Sequence, residues 1–123
     1  MKADELRALA ERVAAATGPD REVDTDIFLQ IRPSARGRIF DAPRYTSSLD
    51  AAMSLVPEGL AFTVGQNVHH RYWVASVNEL DADGYPQSTG CSDASRSPAL
   101  ALTCAALLAR ASLIDSQTKT THD

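Results

Sequence analysis

The segment from Pro98 to Ser112 is apolar on every side. At helical spacing, Leu100, Cys104, Leu107, Leu108 and Ala111 fall on one face, and Ala99, Leu102, Ala105, Ala106 and Ala109 fall on the reverse. A helix of this kind has no face to give to water and must be buried on both sides. Ser97 stands where an N-cap belongs, and Pro98 sits at the first helical position, where a missing N–H costs nothing. The rest of the chain must therefore supply two covers. In a chain of 123 residues the second cover can come from another subunit. The small alanines would let a partner helix approach closely, so a homo-oligomer is expected. The alternative is that a helix of the same chain covers the alanine face.

The other elements follow from periodicity and breakers. Leu6, Leu9, Ala10 and Val13 form one stripe of a helix over 3–16, stopped by Gly18 and Pro19. Val23, Ile27 and Ile31 mark a second helix over 21–32, with Asp20 as its N-cap, Glu22 at its positive end, and Pro33 beyond it. A third helix is expected over 47–56. Ser47 and Asp50 stand in capping-box spacing there, and Leu49, Ala52, Met53 and Val56 form its buried stripe. Alternation then changes to period two. Phe62 and Val64 belong to a strand over 60–66, and Trp73, Ala75 and Val77 to a strand over 71–78, joined in a hairpin at Gly65–Asn67. Asp81 and Asp83 mark a turn, a short third strand follows at 85–88, and residues 89–97 read as a loop of small residues. Helices and strands segregated in this order indicate an α+β fold. With helices on both faces of a small antiparallel sheet it would be a three-layer α-β-α sandwich. One domain spanning 1–114 is expected, with a polar tail over 115–123.

The formal net charge of −4 argues against DNA or RNA as a partner, which needs a basic surface. Two cysteines, Cys91 and Cys104, make no disulfide framework. No signal peptide is visible, no apolar run reads as long enough to span a bilayer, and a cytoplasmic location is expected.

Catalytic patterns are absent from the sequence. There is no P-loop, no dinucleotide fingerprint and no nucleophile elbow. His69 and His70 are adjacent on a strand, so they point to opposite faces and make a poor chelate. No metal and no cofactor are expected. Cys104 reads as a small buried hydrophobe. Cys91 could act as a nucleophile only with a distant base that no spacing identifies.

Ligand binding has more support. The loop 33–45 with its preceding residue holds the chain's basic cluster, Arg32, Arg36, Arg38 and Arg44. Two helices are preceded by hydroxyl-rich segments, Arg44-Tyr45-Thr46-Ser47-Ser48 and Ser92-Asp93-Ala94-Ser95-Arg96-Ser97. Free N–H groups at a helix N-terminus suit a phosphate, and an arginine adds a bidentate donor. Candidate ligand contacts are Arg44, Ser47, Ser48, Ser95 and Arg96 on phosphate, with Tyr45 or Trp73 stacked on a base. Asp93 would oppose the second site. The same serines could serve only as caps, and Trp73 could serve only as core.

Three stretches carry a resemblance: Gly18-Pro-Asp-Arg-Glu22, the run from Tyr45 to Gly59, and the run from Ser97 to Ala111. Together they resemble the phage ABA sandwich domain family, small proteins of phages and prophages. Residues 60–96 carry almost none of the likeness, and Leu60 stands where the family would have a tryptophan. The resemblance implies a fold and brings no chemistry with it. By analogy with small phage proteins that act as sponges, it implies a non-enzymatic protein that sequesters a phosphorylated ligand, such as a nucleotide messenger of bacterial immunity. A protein-interaction module whose apolar last helix packs on itself or on a partner is the competing expectation. A nucleotide hydrolase is the third.

Overall fold

In a computed structural model, residues 2–37, 41–67, 71–80 and 82–120 are described. His69, His70, Arg38 and Asp81 lie outside them. The elements run α1 (Ala3–Ala15), α2 (Arg21–Ile31), a 3-10 turn (Pro33–Ala35), α3 (Leu49–Met53), β1 (Ala61–Gln66), β2 (Trp73–Leu80), β3 (Pro86–Ser95) and α4 (Pro98–Thr120). The sheet is antiparallel in the order β1-β2-β3. The expected α+β class with a small antiparallel sheet is the class observed.

The layers are stacked differently from the expectation. α4 packs on all three strands with one side and on α1 and α3 with the other. The sheet is therefore an outer layer, and α4 is the middle one. The sheet's inner face carries Phe62, Val64, Trp73, Ala75 and Val77 toward α4. On its outer face Thr63 and Ser76 pair across β1 and β2, and their hydroxyls meet at 2.9 Å in solvent. Among the described residues no helix covers that outer face. An open, polar face is what one-sided alternation allows in an antiparallel sheet.

Both faces of α4 find cover inside the chain. Leu100, Leu102 and Leu107 are fully buried, as are Ala101, Ala105, Ala106 and Ala109. The alanine face is met by β3. A Cβ on Gly90 would lie 2.2 Å from the Ala105 carbonyl oxygen and 2.6 Å from the Ala109 nitrogen. Strand and helix touch backbone to backbone there, which requires glycine on one side and alanine on the other. The feature that called for a second subunit is thus satisfied within one. Pro98–Ser116 is also long and apolar enough to cross a bilayer by length and composition, contrary to the expectation from sequence. Its apolarity serves the core, since most of that stretch is buried within the fold.

Four boundaries differ from the sequence reading, each for a local reason. β3 runs from Pro86 to Ser95, where a short strand and a loop were expected; Gly90 has low strand propensity but suits the close crossing of α4. β2 starts at Trp73 because Arg71 takes a left-handed φ of 58° in the turn, where the Asn67 amide donates to the Tyr72 carbonyl. α3 has only five residues and is capped by Ser48, whose Oγ accepts from the Ala51 amide; Ser47 is exposed in the preceding turn. After Met53 the chain tightens into three-residue bonds, Leu55 to Ala52 and Val56 to Met53. That change of pitch buries Leu55 and leaves Leu49 and Met53 exposed, so the expected stripe on this helix is shifted. Lastly, α4 continues to Thr120 through the part read as a tail, and Arg7 of α1 pairs with Asp115 there.

Candidate functional site

The first expected phosphate segment is built into the core. Tyr45 is 3% exposed, so it has no ring face to offer a base from solvent. Its backbone carbonyl accepts from the Thr103 hydroxyl of α4 at 2.8 Å. Burial pushes the Tyr45 phenol above its ordinary range, with the nearby Arg110 pulling it the other way. Thr46 is buried beside Asp24, which accepts from both the Thr46 amide and its hydroxyl at 2.9 Å and from Arg21 at 3.1 Å. This polar knot ties the start of α2 to the segment before α3. Arg44 is exposed, and its carbonyl takes the Ser47 and Ser48 amides. With Ser48 spent as a cap on the Ala51 amide and α3 one turn long, the segment holds a helix start in place and offers an anion little helix dipole.

The second segment divides between strand and cap. Trp73 and Ser95 are cross-strand partners at one end of the sheet. Trp73 packs partly buried against the core, and Ser95 is buried. Arg96 follows on the surface. The side chains of residues 92–94, Asp93 included, lie outside the description. At the N-terminus of α4 the Ser97 Oγ accepts from the Leu100 amide at 3.1 Å. Pro98 has no N–H to give.

The structure opens a different concavity. α1 and α2 form a helical hairpin, and a cavity of about 320 Å³ lies along it. Its apolar floor comes from Ala8, Leu9 and Leu29. Arg12 and Asp26 close one stretch of its wall with an ion pair at 2.7 Å, which holds the Arg12 guanidinium above its ordinary range. The remaining polar lining is Glu5, Gln30 and Arg36. Arg36 is exposed just past the 3-10 turn, and its side chain has no hydrogen-bond or ion-pair partner among the described residues. A guanidinium over an apolar floor can hold a carboxylate or phosphate bidentately while the floor takes a ligand's carbon skeleton. The volume is at the low end of the range for ligand sites, roughly 300–1,000 Å³.

Among the described residues of the sequence-expected basic cluster, Arg36 alone lines this cavity. Glu5, Arg12, Asp26 and Gln30 carried no sequence signal beyond the polar faces of two amphipathic helices. Compared with family models, with curated proteins and with solved structures, the chain matches none.

Proposed function

We propose that the chain is a non-enzymatic binding protein for a small phosphorylated ligand, held in the α1–α2 cavity with Arg36 as its charged anchor. The observation that carries this reading is the Arg36 guanidinium, which has no ion-pair partner among the described residues, beside an apolar floor. It keeps the ligand class expected from the sequence and moves the site away from the two helix starts, where the caps already take the Ala51 and Leu100 amides. The cavity suits a ligand of mononucleotide size or smaller; a cyclic dinucleotide would extend out of it. The resemblance to small phage proteins supports sequestration in a host cytoplasm as the setting.

A thermal-shift panel of mononucleotides, cyclic nucleotides, sugar phosphates and inorganic phosphate tests the proposal. A compound at 100 times its dissociation constant should stabilise the protein by about 2.7 kcal/mol. Arg36→Ala should weaken that compound by about 1.5–3 kcal/mol, the worth of a charge-assisted bond. Losses at Arg44→Ala or Arg96→Ala with Arg36→Ala unaffected would return the site to the helix starts.

One observation favours a protein-interaction module instead. Leu80 and Tyr85 stand 64% and 68% exposed on either side of the β2–β3 turn. A flat panel together with a stoichiometric protein partner lost in Leu80→Ser would establish that reading.

A further inference from the structure

We infer that the ligand of the α1–α2 cavity is a zwitterion, an ammonium group joined to a phosphate by a short carbon chain. The inference rests on the reading of that cavity as the site and narrows its ligand class. Among the described residues four charged side chains line the cavity, and they divide into two sets. Arg12 and Asp26 neutralise each other at 2.7 Å. Glu5 and Arg36 face the same cavity, yet they form no ion pair with each other or with any other described residue. The hairpin explains the division. Glu5 is in the first turn of α1, Gln30 is in the last turn of α2, and Arg36 follows the 3-10 turn, so these three belong to one end. Arg12 lies seven residues further along α1, roughly 10 Å up the helix, where it meets Asp26.

A pure anion drawn to Arg36 would meet the Glu5 carboxylate as a like charge at the same mouth. A ligand that also carries an ammonium group turns that opposition into a second contact. Gln30 beside them can donate to the phosphate or accept from the ammonium. The linking carbons then lie against Leu9 and Leu29. An open pair of opposite charges next to a closed one is the charge pattern that a small dipolar ion complements.

The experiment is calorimetric titration of the full chain with 2-aminoethyl phosphate, ethyl phosphate and ethanolamine, using wild type, Glu5→Gln and Arg36→Gln. Wild type should bind 2-aminoethyl phosphate at least about tenfold more tightly than ethyl phosphate, the equivalent of 1.4 kcal/mol. Glu5→Gln should erase that preference, leaving ethyl phosphate bound as well as before or better. Arg36→Gln should weaken both phosphates. Both replaced side chains are exposed and form no ion pair with a described residue, so an unchanged denaturation midpoint shows that the variants are folded. Co-sedimentation with phosphatidylethanolamine vesicles separates a lipid headgroup from a free aminophosphate, and binding to either supports the ligand class. Equal affinity for the two phosphates in wild type overturns the zwitterion and leaves the anion site standing. So does tight binding of a mononucleotide with neither small phosphate bound. Failure of every phosphorylated probe overturns both.

Discussion

Replacing Gly90 with alanine tests the most demanding contact in the fold. The added methyl carbon would stand 2.2 Å from the Ala105 carbonyl oxygen, 2.6 Å from the Ala109 nitrogen and 3.2 Å from the Ala109 Cα. All three are backbone atoms of α4, so no rotamer change can relieve the clash. Comfortable carbon contacts lie at about 3.5–4.0 Å, so helix and strand must separate by roughly 1 Å over that turn. Overpacking in a core costs about 1–3 kcal/mol. A 1 Å gap forfeits up to about half of each neighbouring dispersion contact as well. Near 3 kcal/mol is therefore expected, against a total stability of about 5–15 kcal/mol for a domain. For a chain of this length that lowers the melting temperature by on the order of 10 °C. Urea denaturation of Gly90→Ala and Gly65→Ala side by side is the assay. Gly65 lies in edge strand β1 with nothing near its would-be Cβ, so its alanine variant should match wild type or exceed it by up to about 1 kcal/mol. A Gly90→Ala loss below about 0.5 kcal/mol would refute the backbone-to-backbone packing of β3 on α4.

Three further changes probe the polar framework. Asp24→Ala removes the acceptor for the Thr46 amide, the Thr46 hydroxyl and Arg21, and should cost about 3 kcal/mol in denaturation midpoint analysis; Asp24→Asn, which keeps an oxygen for Thr46, should cost about half as much. Asp20→Ala strips α2 of the cap that takes the Glu22 and Val23 amides and should cost about 1 kcal/mol by the same assay. Tyr45 sets a pH dependence. Its phenol is raised above 10.0 by burial, so the folded chain keeps a proton that the unfolded chain has lost. That contribution to stability is fully present below pH about 10 and fades as pH rises through the folded value. Tyr45→Phe should flatten this alkaline decline in thermal melts between about pH 9 and 11, and an unchanged decline would show that the group responsible lies elsewhere.

Much of the scaffold was legible in one dimension, because the residues that define α1 and α2 interact with near neighbours. The Leu6–Val13 stripe and the Asp20 cap act within one or two turns. The two-sided burial of α4 was also legible, since apolarity all round admits no other placement. What covers it was not. Gly90 reads as a loop residue until Ala105 and Ala109 are seen against it. The frame of α3 slipped by one residue because Ser47 and Ser48 are equally good caps by type, and the choice between them rests on the Arg44 carbonyl taking both amides. The outer position of the sheet was hidden as well, since Thr63 and Ser76 look alike whether water or a helix faces them. Of the candidate site, only Arg36 stood out, as one of a run of arginines. Glu5 and Gln30 join it through the fold of the hairpin, which no local spacing encodes.

The helix on which every layer rests is also the last element of the domain to be made. As the chain leaves the ribosome, α1, α3 and the strands emerge before the surface they pack on exists. The inner faces of Phe62, Val64, Ala75 and Val77 stay open until Leu100 to Ala109 have cleared the exit tunnel. Folding of this domain therefore waits until α4 has been made, and the nascent sheet, with β1 and β3 as its two edges, depends on that interval being short.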